Sequence, residues 1–150
     1  GLTRIDSAPW PDAYLQPFAM QSGAGGSFTT QADMLALLHQ LLPGRAGLLK
    51  PATLAEMMRD QLPGDQCVGF AHTGLIPSLG FGLSGAITRG PSALQPNTPA
   101  GELQWGGLAG THWWISPATG VAGVQMAQRH FGFWHPFWFE YKEAVYAALA

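Results

Sequence analysis

The stretch Leu103-Gln104-Trp105-Gly106-Gly107-Leu108-Ala109-Gly110-Thr111-His112-Trp113-Trp114-Ile115 decides how the rest of the chain is read. It carries three of the six tryptophans and three glycines. Its right half alternates small or polar with bulky residues, the pattern of a half-buried strand. Its left half sets Gly106 and Gly107 directly after Trp105. A glycine inside a strand pattern marks a bulge, or a place where another backbone or a ligand comes close. Two readings follow: a bulged core strand, or a strand at the wall of a binding cleft with a hairpin partner after it.

Working outward, Ser116-Pro117-Ala118-Thr119-Gly120 reads as a turn, and residues 121–128 return as an antiparallel partner. Upstream, residues 89–101 form a long polar loop with three prolines, a length that often rims a site. Residues 67–72 and 79–88 read as strands, the second thinned by Gly80, Gly82 and Gly85. Helical spacing of Met34, Leu35, Leu37, Leu38, Leu41 and Leu42 predicts a helix over about 31–42, closed by Pro43-Gly44. His39 on that helix reads as solvated. Pro51 opens a shorter helix that turns Leu54, Met57 and Met58 inward. A terminal helix over 136–149 is expected to bury Phe137, Tyr141, Ala144, Val145 and Ala148 and to leave Glu140, Lys142 and Glu143 outside. Residues 1–26 are irregular, yet Trp10, Tyr14, Phe18 and Met20 suit an extended segment packed on a body of structure. The class is α+β: an antiparallel sheet with a C-terminal helix packed on it, plus N-terminal helices. The expected organisation is one unit over 1–150: an extended segment (1–30), a helical part (31–60), antiparallel strands (67–130) and the terminal helix (136–149).

The composition narrows the function classes. The 150 residues are 47% hydrophobic but only 11% charged, against roughly 25% charged in an ordinary soluble domain. So little charge suits a chain whose apolar face is covered by something else. A membrane span is not expected, because no run of about 18 apolar residues is uninterrupted. A net charge of −2 without a basic cluster argues against nucleic acid as a partner. The single cysteine, Cys67, excludes an internal disulfide and reads as an inert thiol in an apolar strand. The chain opens on Gly1 rather than Met, which reads as a cut from a longer sequence or a processed form. Periplasmic and cytoplasmic locations both stay open.

No G-x-S-x-G elbow, H-E-x-x-H helix, P-loop or dinucleotide fingerprint is present, so neither metal nor cofactor is expected. His112, His130 and His135 are scattered and lack an evident carboxylate partner in the sequence. The order of motifs nevertheless resembles penicillin-recognising serine hydrolases: class C β-lactamases, D-alanyl-D-alanine carboxypeptidases and β-lactamase-like esterases. Residues 22–34, Ser-Gly-Ala-Gly-Gly-Ser-Phe-Thr-Thr-Gln-Ala-Asp-Met, are similar to the glycine-rich lead into one of that family's helices. Leu48-Leu49-Lys50-Pro51-Ala52-Thr53 resembles its L-L-S-P-x-T helix start, and Gly80-Phe81-Gly82 its G-x-G strand. Trp105-Gly106-Gly107 with Gly110-Thr111 and Trp114 is similar to the esterase-type W-G-G-x-x-G-T-x-x-W, which stands where the lactamases carry K-T-G or H-S-G.

The resemblance implies a β-lactamase/transpeptidase-like fold in which this strand walls the active site. It implies that the backbone N–H of Leu108 is one oxyanion-hole donor, and that Gly106 and Gly107 let the acyl group lie against the strand. Trp105 in place of a lysine or histidine favours an apolar acyl group, and with it an esterase. The family's S-x-x-K nucleophile box is absent: Ser7, Ser22, Ser27, Ser78, Ser84, Ser92 and Ser116 all lack a lysine three residues on. Its tyrosine box is absent too. The resemblance therefore implies the C-terminal portion of such a hydrolase, inactive alone, acting on a small ester or amide with an N-terminal portion or a second copy over its apolar face. An inert binding or interaction module of the same descent is the alternative, and a stand-alone enzyme using His112 or His135 is a third.

Overall fold

The computed structural model describes residues 16, 17, 20, 27–45, 47–71, 73–129 and 135–149. The chain divides into two compact units, Gly1–Thr30 and Gln31–Ala150. In the first, the described residues carry no helix or strand, and Met20 is exposed rather than packed away. Trp10, Tyr14, Phe18 and the glycine-rich run 22–26 lie outside the described residues, and with them the expectation of a packed extended segment.

The second unit opens with α1 (Gln31–Gln40) and α2 (Pro51–Met57). Asp33 sits in the first turn of α1, where its charge meets the exposed N–H groups of the helix end. Gly44, at a φ of 79° that other residues rarely adopt, ends the turn beyond it. Pro51 occupies the first turn of α2, where a missing N–H costs no hydrogen bond. Seven short strands follow: β1 (Val68–Phe70), β2 (Gly74–Ile76), β3 (Leu79–Phe81), β4 (Ala86–Thr88), β5 (Leu103–Gly107), β6 (Thr111–Ser116) and β7 (Val121–Met126). The helix α3 (Pro136–Ala147) closes the described chain. β1 and β2 form a separate hairpin, and β3 to β7 make one antiparallel sheet in sequence order.

Side chains alternate across that sheet, so its two faces carry different residues. One face presents Ile87, Leu103, Ile115 and Val124, which form the main core with Leu38 and Leu42. Met34, Leu35, Met57 and Met58 pack onto the same core, so the α1 and α2 segments cover this face. The other face presents Glu102, Gln104, His112 and Trp114, and α3 covers it through Trp138, Lys142 and Tyr146.

Three expectations need correction. The strand expected over 79–88 is a hairpin: Gly82 N–H donates to Gly85 C=O at 2.8 Å, and β3 turns back as β4. Both glycines are needed there, since a Cβ on Gly82 would sit 2.5 Å from the Met57 carbonyl and one on Gly85 2.7 Å from that of Gln104. The W-G-G stretch is likewise two strands joined by a tight turn, with Gly110 N–H on Gly107 C=O at 2.9 Å. The phase of α3 is the third. Its buried stripe is Trp138, Lys142 and Tyr146, at i, i+4, i+8, while Phe137 and Tyr141 are exposed. Of the stripe expected from sequence, Val145 packs against the buried cluster. The charge of Lys142 predicts an outward position; it lies inside because Glu102 neutralises it.

Candidate active site

β5 is paired on both sides only over its first half. Against β4 the register runs Ile87↔Leu103 and Ala86↔Gln104, and there the ladder stops. Against β6 it continues to Gly107↔Thr111. The chain before β4 turns away at Gly82–Gly85, so Trp105, Gly106 and Gly107 run past their neighbour with one edge unladdered. Backbone groups alternate sides along a strand. Glu102 C=O accepts from Thr88 N–H on the β4 side, and Gly107 C=O accepts from Gly110 on the β6 side. By that alternation Gly106 turns its N–H and C=O toward the open edge.

Beside this edge lies a cleft of about 600 Å³. Trp105 forms one part of its wall, with Phe70 6.1 Å away and Phe81 edge-on at 5.1 Å between ring centres. Gly106, Gln104 and His112 form the wall on the α3 side, and residues 92–95 of the long loop contribute a rim, as the loop's length had suggested. A Cβ on Gly106 would meet the His112 ring at 2.7 Å, and one on Gly107 the Thr111 hydroxyl at 2.9 Å. Both glycines are thus demanded by close approach, with the β6 side chains as the neighbours. Leu108 starts the turn after β5 and is half exposed, at 53%. A smaller cavity of about 300 Å³ between the ends of α1 and α2 contains none of these residues.

The histidines considered from sequence have structural work. His112 is buried and stacks on Trp138 with ring centres 4.0 Å apart. His135 caps α3, its Nδ1 accepting from Phe137 N–H at 3.2 Å. His130 lies outside the described residues. Among the described residues, no group of three or more His, Cys, Asp or Glu is placed to hold a metal ion, and no helix is long and apolar enough to cross a membrane.

Under the cleft lies a cluster that the sequence reading missed. Lys142 is fully buried, and its Nζ donates to the Glu102 carboxylate, to Gln95 Oε1 at 2.6 Å and to Gln104 Oε1 at 3.1 Å. Tyr146 OH donates to the other Glu102 oxygen. Burial pushes the Glu102 carboxyl up and the Lys142 ammonium down, and each partner's charge opposes that shift in the other. Burial, together with the Glu102 charge, also raises the Tyr146 hydroxyl, which keeps it a proton donor. A signal for this cluster existed: Glu102 and Gln104 are two residues apart in a strand, which puts two polar side chains on one face of an otherwise apolar element.

The sequence model of the family described as Beta-lactamase matches residues 3–137. The chain belongs to the beta-lactamase family. It is 32% identical over 138 residues to the esterase EstB of Burkholderia gladioli, an alignment covering 91% of this chain and 33% of that protein. It is 32% identical over 133 residues to the acyltransferase calJ of Penicillium decumbens, covering 78% of this chain and 30% of that one. Among solved structures it is similar to EstCE1, described as a hydrolase with promiscuous acyltransferase activity. The TM-score there is 0.61 at 31% identity, over 77% of this chain and 29% of that chain. This member of the beta-lactamase family thus spans about a third of the length of the relatives it matches. The family's α+β fold, with its antiparallel sheet and C-terminal helix, is the fold described above.

Proposed function

We propose that this chain is the C-terminal portion of an esterase-type serine hydrolase of the beta-lactamase family, and that it supplies the sheet-side wall of the active site. The observation that carries the reading is the open edge of β5 at Trp105–Gly107, set beside a cleft and followed at once by a tight turn. In this reading the nucleophile and its base come from a preceding portion of the same polypeptide, since no S-x-x-K box occurs within the 150 residues. The substrate is a small ester or amide whose apolar acyl group lies against Trp105 and Phe70. Gly106 and Gly107 keep the strand free of side chains where the reacting carbon approaches. As the serine adds to the carbonyl, the oxygen gains charge, and the Leu108 N–H donates to it. The direction of the Gly107–Leu108 peptide supports that assignment: its C=O is taken by Gly110 on the β6 side, and a trans peptide turns the Leu108 N–H the other way, toward the edge that Gly106 faces. A preorganised donor of this kind contributes about 2.7–4 kcal/mol to the transition state. The esterase and acyltransferase descriptions of the relatives share one half-reaction, formation of an acyl-enzyme, which then passes its acyl group to water or to an alcohol.

The test is turnover of a chromogenic short-chain ester. The 150-residue chain alone is expected to give neither a burst nor steady turnover, and the same chain within the longer polypeptide to give both. Turnover by the isolated chain at the rate of the longer polypeptide would overturn the reading. An inert binding module is the second reading, favoured by Leu75 and Leu94, exposed at 76% and 60% along the cleft. It predicts a longer polypeptide that binds apolar ligands but never hydrolyses them.

A further inference from the structure

Among the described residues, the β1–β2 hairpin stands beside the cleft without a ladder to the five-stranded sheet. A two-stranded hairpin is marginal in water, so whatever holds its base sets where it stands. Residues directly opposite share a face, and the register Val68↔Ile76 and Phe70↔Gly74 puts Val68, Phe70 and Ile76 on one side. Val68 is buried there, while Phe70 and Ile76 are half-buried and line the cleft. Phe70 meets Trp105 at 6.1 Å between ring centres, and so continues the apolar wall that starts on β5.

One guanidinium ties the base of this hairpin to the sheet. Arg89, just past β4, gives its backbone N–H to Ser78 C=O at 2.8 Å, which fixes the strand leaving the hairpin. Its side chain holds the strand entering it. One terminal nitrogen donates to Gln66 C=O at 2.7 Å, and the other makes a longer contact of 3.5 Å with Pro77 C=O. The same fork meets Asp60 Oδ2, at 2.8 Å from both Nε and a terminal nitrogen. Asp60 is in turn seated on the sheet. Its Oδ1 accepts from Phe81 N–H at 3.1 Å, and its carboxyl fills the space over Gly80, where a Cβ would lie 2.0 Å from Oδ2. A guanidinium serves a carboxylate and a carbonyl at once because its donors are fixed in one plane. The pair is more than a quarter exposed, so its weight lies in this geometry rather than in ion-pair energy. We propose that the β1–β2 hairpin selects the acyl chain of the substrate, and that Arg89, seated on Asp60, is the positioning residue that holds it in place. Arg89 itself does not line the cleft. A short acyl group ends at the glycines and Trp105, whereas a longer linear chain runs on to Phe70 and Ile76. Discrimination between the two thus depends on a residue that touches neither. This deepens the esterase reading of the cleft and rests on it.

The experiment measures kcat and KM for 4-nitrophenyl acetate and 4-nitrophenyl hexanoate in the longer polypeptide. Wild type is compared with Arg89→Met, Asp60→Asn, Phe70→Ala and the double variant Arg89→Met/Phe70→Ala. Asparagine keeps an oxygen for the Leu62 and Phe81 N–H groups but turns an NH₂ toward Arg89. The hexanoate-to-acetate ratio of kcat/KM is expected to fall about four- to fifteenfold in Arg89→Met and in Asp60→Asn, the scale of one or two methylenes leaving an apolar wall. The fall is expected in KM for the hexanoate, with kcat and the acetate KM within about twofold of wild type. A variant that only unfolds in part loses kcat equally for both esters and leaves the ratio alone. In the Phe70→Ala background, Arg89→Met is expected to lower the ratio by less than it does in wild type. An unchanged or raised ratio in Arg89→Met or Asp60→Asn would overturn the proposal, as would full additivity in the double variant. Should Arg89→Met fail to fold, Asp60→Asn takes its place in both comparisons.

If wild type hydrolyses neither ester, the esterase reading fails, and the hairpin is decided by binding. The affinity of the longer polypeptide for 2-heptanone relative to 2-butanone, read by saturation-transfer NMR titration, is then expected to fall in Arg89→Met and Asp60→Asn. The same relative affinity in wild type and both variants would overturn the role of Arg89.

Discussion

Lys142 is the residue whose position most changes how the chain is understood. A lysine on a helix is normally solvated, and only the opposing carboxylate of Glu102 explains its burial. Trp105, Gly106 and Gly107 were legible in the sequence because glycines after a tryptophan in a strand are informative by their very lack of side chain. Lys142 was not, because its partners Glu102 and Gln104 lie 38 or more residues away. Two further single positions give tests. A Cβ on Gly123 would sit 2.1 Å from the Trp114 ring, which is fully buried. Gly123→Ala is therefore expected to cost about 1–3 kcal/mol, read from the urea midpoint. Asp60 gives a pH test. Burial pushes its carboxyl up, but the Leu62 N–H, the Arg89 guanidinium and the Phe81 N–H outweigh that and hold it below the usual 3.8. Its folded value lies under its unfolded one, so its contribution is present above pH 3.8 and is lost as the pH falls through the folded value. Asp60→Asn is expected to flatten the loss of stability below pH 3.8, with little change in the slope at neutral pH.

At the scale of elements, helices α1 and α2 were legible from their apolar period and from Pro43-Gly44 and Pro51. Strand existence was legible too. Strand length was not, because the glycines that signal close approach also permit the chain to reverse, as between β3 and β4 and between β5 and β6. The phase of α3 was misread because the charge of Lys142 outweighed Trp138 and Tyr146 four residues to either side. That helix meets the sheet through the buried Glu102–Lys142 pair as well as through rings, with Lys142 Nζ about 6 Å from the centres of Trp114, Trp138 and Tyr146. Removing one partner strands the other charge in the interior. Lys142→Met or Glu102→Gln alone is expected to cost about 3–5 kcal/mol, and the double variant less than the sum. Urea melts of the four proteins would check this, and strict additivity would contradict it.

At the scale of the whole molecule, low charge and a run of motifs without a nucleophile box pointed to a portion of a larger hydrolase. The family match over residues 3–137 and relatives about three times as long agree with that. The candidate site was legible in its strand and its rim loop. Its depth was not, since the cleft wall on the α3 side is made by side chains from the sheet face and a helix brought together only by folding. In the proposed active site the backbone N–H of Leu108 stabilises the oxyanion. Leu108 is the second residue of the turn closed by Gly110 N–H on Gly107 C=O, a position proline favours. Leu108→Pro thus removes that one N–H with little strain, and Leu108→Ala keeps it. In the longer polypeptide, kcat for a short-chain ester is expected to fall by about 10²–10³ in Leu108→Pro and to stay within a few-fold in Leu108→Ala. Equal rates in the two variants, both near wild type, would contradict the account.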